Sequence, residues 1–188
     1  MKKIGITGSI ASGKTTASKI LSFKKGPLFS ADTVVKDLYK KETFKKYLAG
    51  KLNVKDYLRI KNIVKKLIQI NRLKIEKLEK LIHPFVRKEM RLFAKKNKNK
   101  KLIFFEIPLL VESKLMKNFD VIFYIKAKKS LRLKRFISKG GDKKLFNRLN
   151  NNQLNDVKKV KSCDHVIVNE KNLKILKKKL LDILKNYE

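Results

Sequence analysis

The octet Gly8-Ser9-Ile10-Ala11-Ser12-Gly13-Lys14-Thr15 constrains this chain more than any other feature. It satisfies the spacing G-x-x-x-x-G-K-[ST], and its flanks supply the strand–loop–helix setting that the spacing requires: Ile4 and Ile6 before it, Ala17, Ile20 and Leu21 after it. The glycines allow backbone conformations that a Cβ would block. Successive N–H groups can then line a concavity for phosphate oxygens. The start of the next helix adds unpaired N–H groups and its positive dipole end. Lys14 has the reach for β- and γ-phosphates, and Thr15 offers a hydroxyl to Mg²⁺. On this reading Gly8, Ser9, Ile10, Ala11, Ser12, Gly13, Lys14, Thr15 and Thr16 are the nucleotide-binding residues. The motif does not name an acceptor, because kinases, GTPases, helicases and transport ATPases share it.

The rest of the chain reads as alternating strands and helices. Five Ile-, Val- and Phe-rich runs, Lys3–Thr7, Leu28–Ala31, Leu102–Glu106, Val121–Ile125 and Val166–Val168, have the near-continuous apolar character of parallel strands covered on both faces. A helix is expected over Lys14–Ser22, ended by Gly26-Pro27. From Leu58 to Phe93 the apolar residues recur at helical intervals with no strand pattern, so residues 33–100 form a helical insert between the second and third strands. Ser130–Ser138 is a basic helix stopped by Gly140-Gly141, and Asp142 can cap the next one. Leu173, Leu176, Leu180 and Leu184 make the apolar stripe of a C-terminal helix. With 188 residues the chain is one α/β domain, long enough to bury about 70% of its unfolded surface. A small core with an insert and a late basic hairpin suits a small-molecule kinase, which needs an acceptor-binding part and a lid (residues 130–155) that keeps water from the phosphoryl group.

Composition narrows the setting. Fifty basic and sixteen acidic residues give a formal net charge of +34. The lysines are dispersed along the chain, so the charge reads as a general basic surface that attracts polyanionic small molecules, and no dedicated nucleic-acid site is expected. No aromatic-and-basic stacking segment of the kind that binds single strands stands out. One cysteine, Cys163, excludes an internal disulfide framework and fits a reducing compartment. The most apolar stretch, Leu102 to Val111, is interrupted by Glu106 and Pro108, so no membrane span is expected. The residues before Thr7-Gly8-Ser9 are too few for a signal-peptide apolar region, and a cytoplasmic location is expected.

Further stretches, in order, are similar to those of dephospho-CoA kinases over nearly the whole chain. Ile6 to Thr15 resembles that family's phosphate loop, and Phe29-Ser30-Ala31-Asp32 stands where it has Asp-Ala-Asp. Leu81-Ile82-His83-Pro84 resembles its His-Pro motif, and Ile107-Pro108-Leu109-Leu110-Val111-Glu112 its Pro-Leu-Leu-x-Glu stretch. Arg148 with Gln153 resembles the lid-side pattern, and Cys163 to Asn169 the terminal Ala-Asp-x-Val-Ile-x-Asn. Two positions depart: Ser30 replaces the first acid, and Arg132 stands where a glutamine is common. The resemblance implies a three-layer P-loop NTPase fold and phosphorylation of the ribose 3′-hydroxyl of dephospho-CoA by ATP with Mg²⁺. A kinase for another small acceptor, such as a nucleoside monophosphate, and a nucleic-acid-stimulated ATPase are the rival readings.

Individual residues carry alternatives. Asp32 follows a strand at the ligand-binding edge of a parallel sheet; the resemblance implies a general base facing the acceptor hydroxyl, and the other reading is a helix cap. For His83 the resemblance implies acceptor binding, against a helix-boundary histidine bonded to backbone; Leu109 joins the acceptor-binding set. Glu106 ends a strand and can hold a Mg²⁺-bound water, and Glu112 can contact the acceptor; each is otherwise a solvated acid or a partner for lysines. Arg135 and Arg148, with Lys14 and Asp32, are the catalytic candidates, since an arginine fork suits charge spread over phosphoryl oxygens; a solvated basic face is the alternative, and it competes equally for Arg132.

Overall fold

The structure is a computed structural model and describes residues 1–70 and 72–188. Two compact units make up the chain: Met1–Ser30 together with Lys96–Glu188, and Ala31–Lys95. Among the described residues no helix is long and apolar enough to cross a membrane.

The first unit is built on five strands: β1 (Lys2–Gly8), β2 (Leu28–Ser30), β3 (Leu102–Glu106), β4 (Val121–Lys126) and β5 (His165–Val168). They form one sheet in the order β2-β3-β1-β4-β5, every pairing parallel. Strands buried on both faces read as near-continuous apolar runs, and β3 shows it: Leu102, Ile103, Phe104 and Phe105 are all buried, and Glu106, buried too, is the polar residue at its carboxyl end. One face, carrying Ile4, Ile6, Phe104, Phe123, Ile125 and Ile167, packs on Ala17 and Leu21 of α1 (Lys14–Ser22) and on Leu176, Leu180 and Leu184 of α9 (Leu173–Leu184). Leu173, expected in that stripe, is 60% exposed because it opens the helix ahead of its first packed turn. β5 was expected to be buried, yet Val166 and Val168 are exposed and only Ile167 is covered. It is an edge strand, so alternate side chains meet solvent. Between β4 and β5 lie α6 (Lys129–Ile137), α7 (Lys143–Asn151) and α8 (Asp156–Val160). The Asp142 carboxylate accepts from Leu145 N at 2.8 Å and caps α7 as expected.

β1 lies at the centre of the sheet, with β3 on one side and β4 on the other. At such a switch point the loops leaving the two sides diverge and open a crevice beyond the carboxyl ends of the strands. The phosphate loop leaves β1 there.

The second unit is helical: α2 (Ala31–Leu38), α3 (Glu42–Lys51), α4 (Ile60–Gln69) and α5 (Ile75–Lys96). Its core joins Leu38, Phe44, Leu48, Ile60, Val64 and Ile82. Phe44, 2% exposed, meets Phe85 edge-on at 5.2 Å and Tyr39 at 5.4 Å. Ala31, expected to finish the second strand, instead opens α2. Pro84 lies inside α5. A proline interior to a helix loses one N–H bond; here Ile82 and Phe85 are fixed by packing on either side of it, which holds the helix through that point. Phe44→Ala is expected to cost about 3–5 kcal/mol, read as a lowered urea midpoint; an unchanged midpoint would show that this aromatic cluster does not hold the unit together.

Candidate active site

The phosphate loop turns on Gly13, whose φ of 99° and ψ of 21° lie in the left-handed region. A Cβ there would overlap the side-chain amide of Asn169. Gly13 is also the N-cap of α1 and offers no capping side chain, so the first-turn N–H groups are answered by no cap of their own. Three of the loop's carbonyls meet side-chain donors. Lys14 Nζ donates to Ser9 O at 2.9 Å, and Arg132 Nη1 to Ile10 O at 3.4 Å. Ser12 O accepts from Asn169 Nδ2 at 2.8 Å and from Arg135 Nη1 at 3.3 Å. The first half of the loop is tied further: Ile10 N–H donates to Gln153 Oε1 at 3.0 Å, and the Ser9 hydroxyl bonds Asp156 and lies 3.1 Å from Tyr124 OH. Ser9 and Ile10, expected among the nucleotide-binding residues, thus have these polar groups turned to the framework.

Thr15 Oγ1 donates to Glu106 Oε1 at 2.5 Å, and Ser18 Oγ to Glu106 Oε2 at 3.2 Å. Glu106 is 3% exposed, at the carboxyl end of β3. Among the described residues no three histidine, cysteine or acidic side chains gather into a metal cage. A hydroxyl beside one carboxylate is instead the sparse, hard-oxygen donor set that suits Mg²⁺, which keeps its waters and binds through substrate phosphates. The residues present therefore fit that ion.

The two arginines of α6 separate in role. Arg135 places Nη1 on Ser12 O and Nη2 on Asn169 O, 3.1 Å away, and so reaches the helix end of the loop. Arg132 is buried: it donates to Ala127 O at 3.1 Å and Asn150 Oδ1 at 2.8 Å, lies 5.8 Å from the Phe146 ring centre and faces Asp156 at 4.0 Å. It is not part of a solvated basic face. Arg148 lies in the last turn of α7 and is half-buried. Glu112, expected at the acceptor, pairs with Lys159 Nζ at 2.6 Å and accepts from Leu154 N at 3.2 Å. Lys159 has no exposed side-chain surface, so this carboxylate is committed to balancing a buried charge. One turn later Cys163 Sγ–H donates to Lys159 O, and burial pushes its thiol up to about 11.

A sequence model of dephospho-CoA kinase matches residues 2–174. The chain belongs to the dephospho-CoA kinase family. It is 34% identical to the dephospho-CoA kinase of Rickettsia typhi over all of this chain and 98% of that one, and 34% identical to that of Fusobacterium nucleatum over 94% of each. A solved Thermus thermophilus structure, TT1252, superposes over the full chain with a TM-score of 0.78 at 26% identity, covering 98% of that chain. A Campylobacter jejuni dephospho-CoA kinase shares the fold, with a TM-score of 0.66 at 22% identity over 98% of this chain and 96% of that one.

Of the residues that resemble the family's motifs, Asp32 and His83 lie in the helical unit. Asp32 is exposed in the first turn of α2, two residues beyond the end of β2. His83 is half-buried on α5; burial first, and Arg87 second, lower its pKa, so the imidazole is neutral at pH 7. Leu109 is half-buried in the turn after β3, which Thr7 anchors by donating to Pro108 O at 3.1 Å. Sequence reasoning gave no role to Tyr124, Asp156, Lys159 or Asn169. Asn169 follows a strand end, the same signal that singled out Asp32; the other three had none, because their partners are far away in the chain. Glu112→Gln leaves Lys159 buried without a countercharge and is expected to cost about 3–5 kcal/mol, read as a lowered urea midpoint. The double change Glu112→Leu with Lys159→Met should be at least as stable as the single one. A single variant as stable as wild type would show that the pair carries no weight.

Proposed function

We propose that the protein transfers the γ-phosphoryl group of ATP to the ribose 3′-hydroxyl of dephospho-CoA, forming coenzyme A. Membership of the dephospho-CoA kinase family over residues 2–174 carries this reading, and the phosphate loop, with Thr15 and Glu106 set together at its helix end, supports it.

The phosphoryl transition state is loose, so positioning and charge stabilisation supply most of the catalysis. The main chain from Ala11 to Thr16 and the Lys14 ammonium hold the β- and γ-phosphates. Thr15 Oγ1 would hold Mg²⁺, and the Glu106 carboxylate beside it would hold a water bound to that ion. When bound, that ion neutralises charge on the phosphate oxygens. Arg135, already at Ser12 O, and Arg148 meet the charge on the transferred group. Asp32 orients the 3′-hydroxyl and accepts its proton as the new P–O bond forms. The neutral His83, within a helical insert of residues 33–100, and Leu109, in the turn after β3, belong to acceptor binding. Residues 130–155 form the lid that excludes water. The single cysteine suits a reducing, cytoplasmic setting.

Purified protein with ATP and Mg²⁺ is expected to phosphorylate dephospho-CoA and not nucleoside monophosphates, read by the phosphorus NMR signal of the new 3′-phosphomonoester. ATP hydrolysis stimulated by RNA or DNA, with no such product, would replace this reading. Lys14→Ala is expected to lower kcat by about 10²–10³-fold with the fold intact; near wild-type turnover would reject the loop mechanism. Asp32→Asn should lower kcat by about 10²–10⁴-fold with the KM for ATP little changed. If stability alone changed, Asp32 would be a cap and no more.

A further inference from the structure

Asp156 is a carboxylate placed against an anion cradle, where its charge would repel phosphate. Its surroundings give it another task. An ionised carboxylate only accepts hydrogen bonds, so Ser9 O–H donates to Asp156. The Ser9 oxygen is then left to accept from Tyr124 O–H at 3.1 Å. Tyr124 is fully buried in β4, and burial keeps its phenol protonated. The next residue is gripped on both sides of its peptide: Ile10 N–H by Gln153, Ile10 O by Arg132. Arg132 also faces Asp156 at 4.0 Å, with only 6% of its side chain exposed, and offsets the negative charge. Asp156 itself is fixed from behind, because Lys159, one turn along α8, is buried against Glu112.

We infer that Asp156 is a positioning residue: through the Ser9 hydroxyl, and balanced by Arg132, it fixes the first half of the phosphate loop so that the loop's remaining N–H groups point at the nucleotide. The inference rests on the phosphoryl-transfer reading only in taking a nucleotide as the loop's ligand. Its sign is opposite to that of simple electrostatics. Removing a negative charge beside an anion site tightens anion binding if charge is all that matters; releasing the loop weakens it.

The test is ADP affinity by calorimetry with no acceptor present, so it stands apart from whether dephospho-CoA is the substrate. Ser9→Ala and Asp156→Asn are each expected to weaken ADP about tenfold, within the range that small misplacements of binding groups produce. In the double variant Asp156→Asn should add less than about twofold to Ser9→Ala, since residues acting through one contact are not additive. The KM for dephospho-CoA should be nearly that of wild type in each variant, and Ser9→Ala, which removes no charge, should also keep a melting temperature near that of wild type. Tighter ADP binding by Asp156→Asn would overturn the inference, as would full additivity or an unchanged affinity. If Asp156→Asn fails to fold, Ser9→Ala and Tyr124→Phe decide: the latter removes the phenol that supports Ser9 and should also weaken ADP, and wild-type affinity in both would overturn the proposal.

Discussion

A loop that turns N–H groups toward an anion turns carbonyls outward, and a buried carbonyl without a partner is costly. In this chain that constraint is met three times within four residues. Lys14 answers Ser9, Arg132 answers Ile10, and Asn169 with Arg135 answers Ser12. The donors come from the helix that follows the loop, from the helix after β4 and from the exit of β5. The loop's shape therefore depends on the order of the strands that bring those exits together. Gly13 belongs to the same arrangement, since Asn169 occupies the space its Cβ would need.

The placement of acids tells a related story. With fifty basic residues against sixteen acidic ones, a carboxylate on the surface would readily find a cation. In the sheet unit, Glu106, Glu112 and Asp156 instead lie in part or wholly inside, each facing a specific partner: the Thr15 and Ser18 hydroxyls, Lys159, and Ser9 with Arg132. Such low-dielectric settings strengthen each contact and make an unpaired charge expensive. Glu106 differs from the other two in having hydroxyl rather than charged partners, which suits the Mg²⁺ role proposed for it.

What was legible in the sequence was what local pattern determines. The strand–loop–helix around the motif, the covered strands, the Asp142 cap and the helical stretch between the second and third strands all follow from residues near one another in the chain. The failures have the opposite origin. Val166 and Val168 look like core until the sheet order makes β5 an edge. Arg132 reads equally as a functional arginine and as a solvated cation beside Arg135, and its carbonyl, amide and aromatic neighbours close over it. Glu112 and Lys159 are 47 positions apart, and nothing near either announces the other.

The framing of Ser9 and Ile10 changes what the variable letters of the motif record. Where side chains and even one amide of the loop face backward into the protein, the identities between the two glycines are a fingerprint of the scaffold to which the loop is bolted. Two enzymes can then grip the same triphosphate with unlike residues at those places, and two loops of identical spelling need not be interchangeable when transplanted.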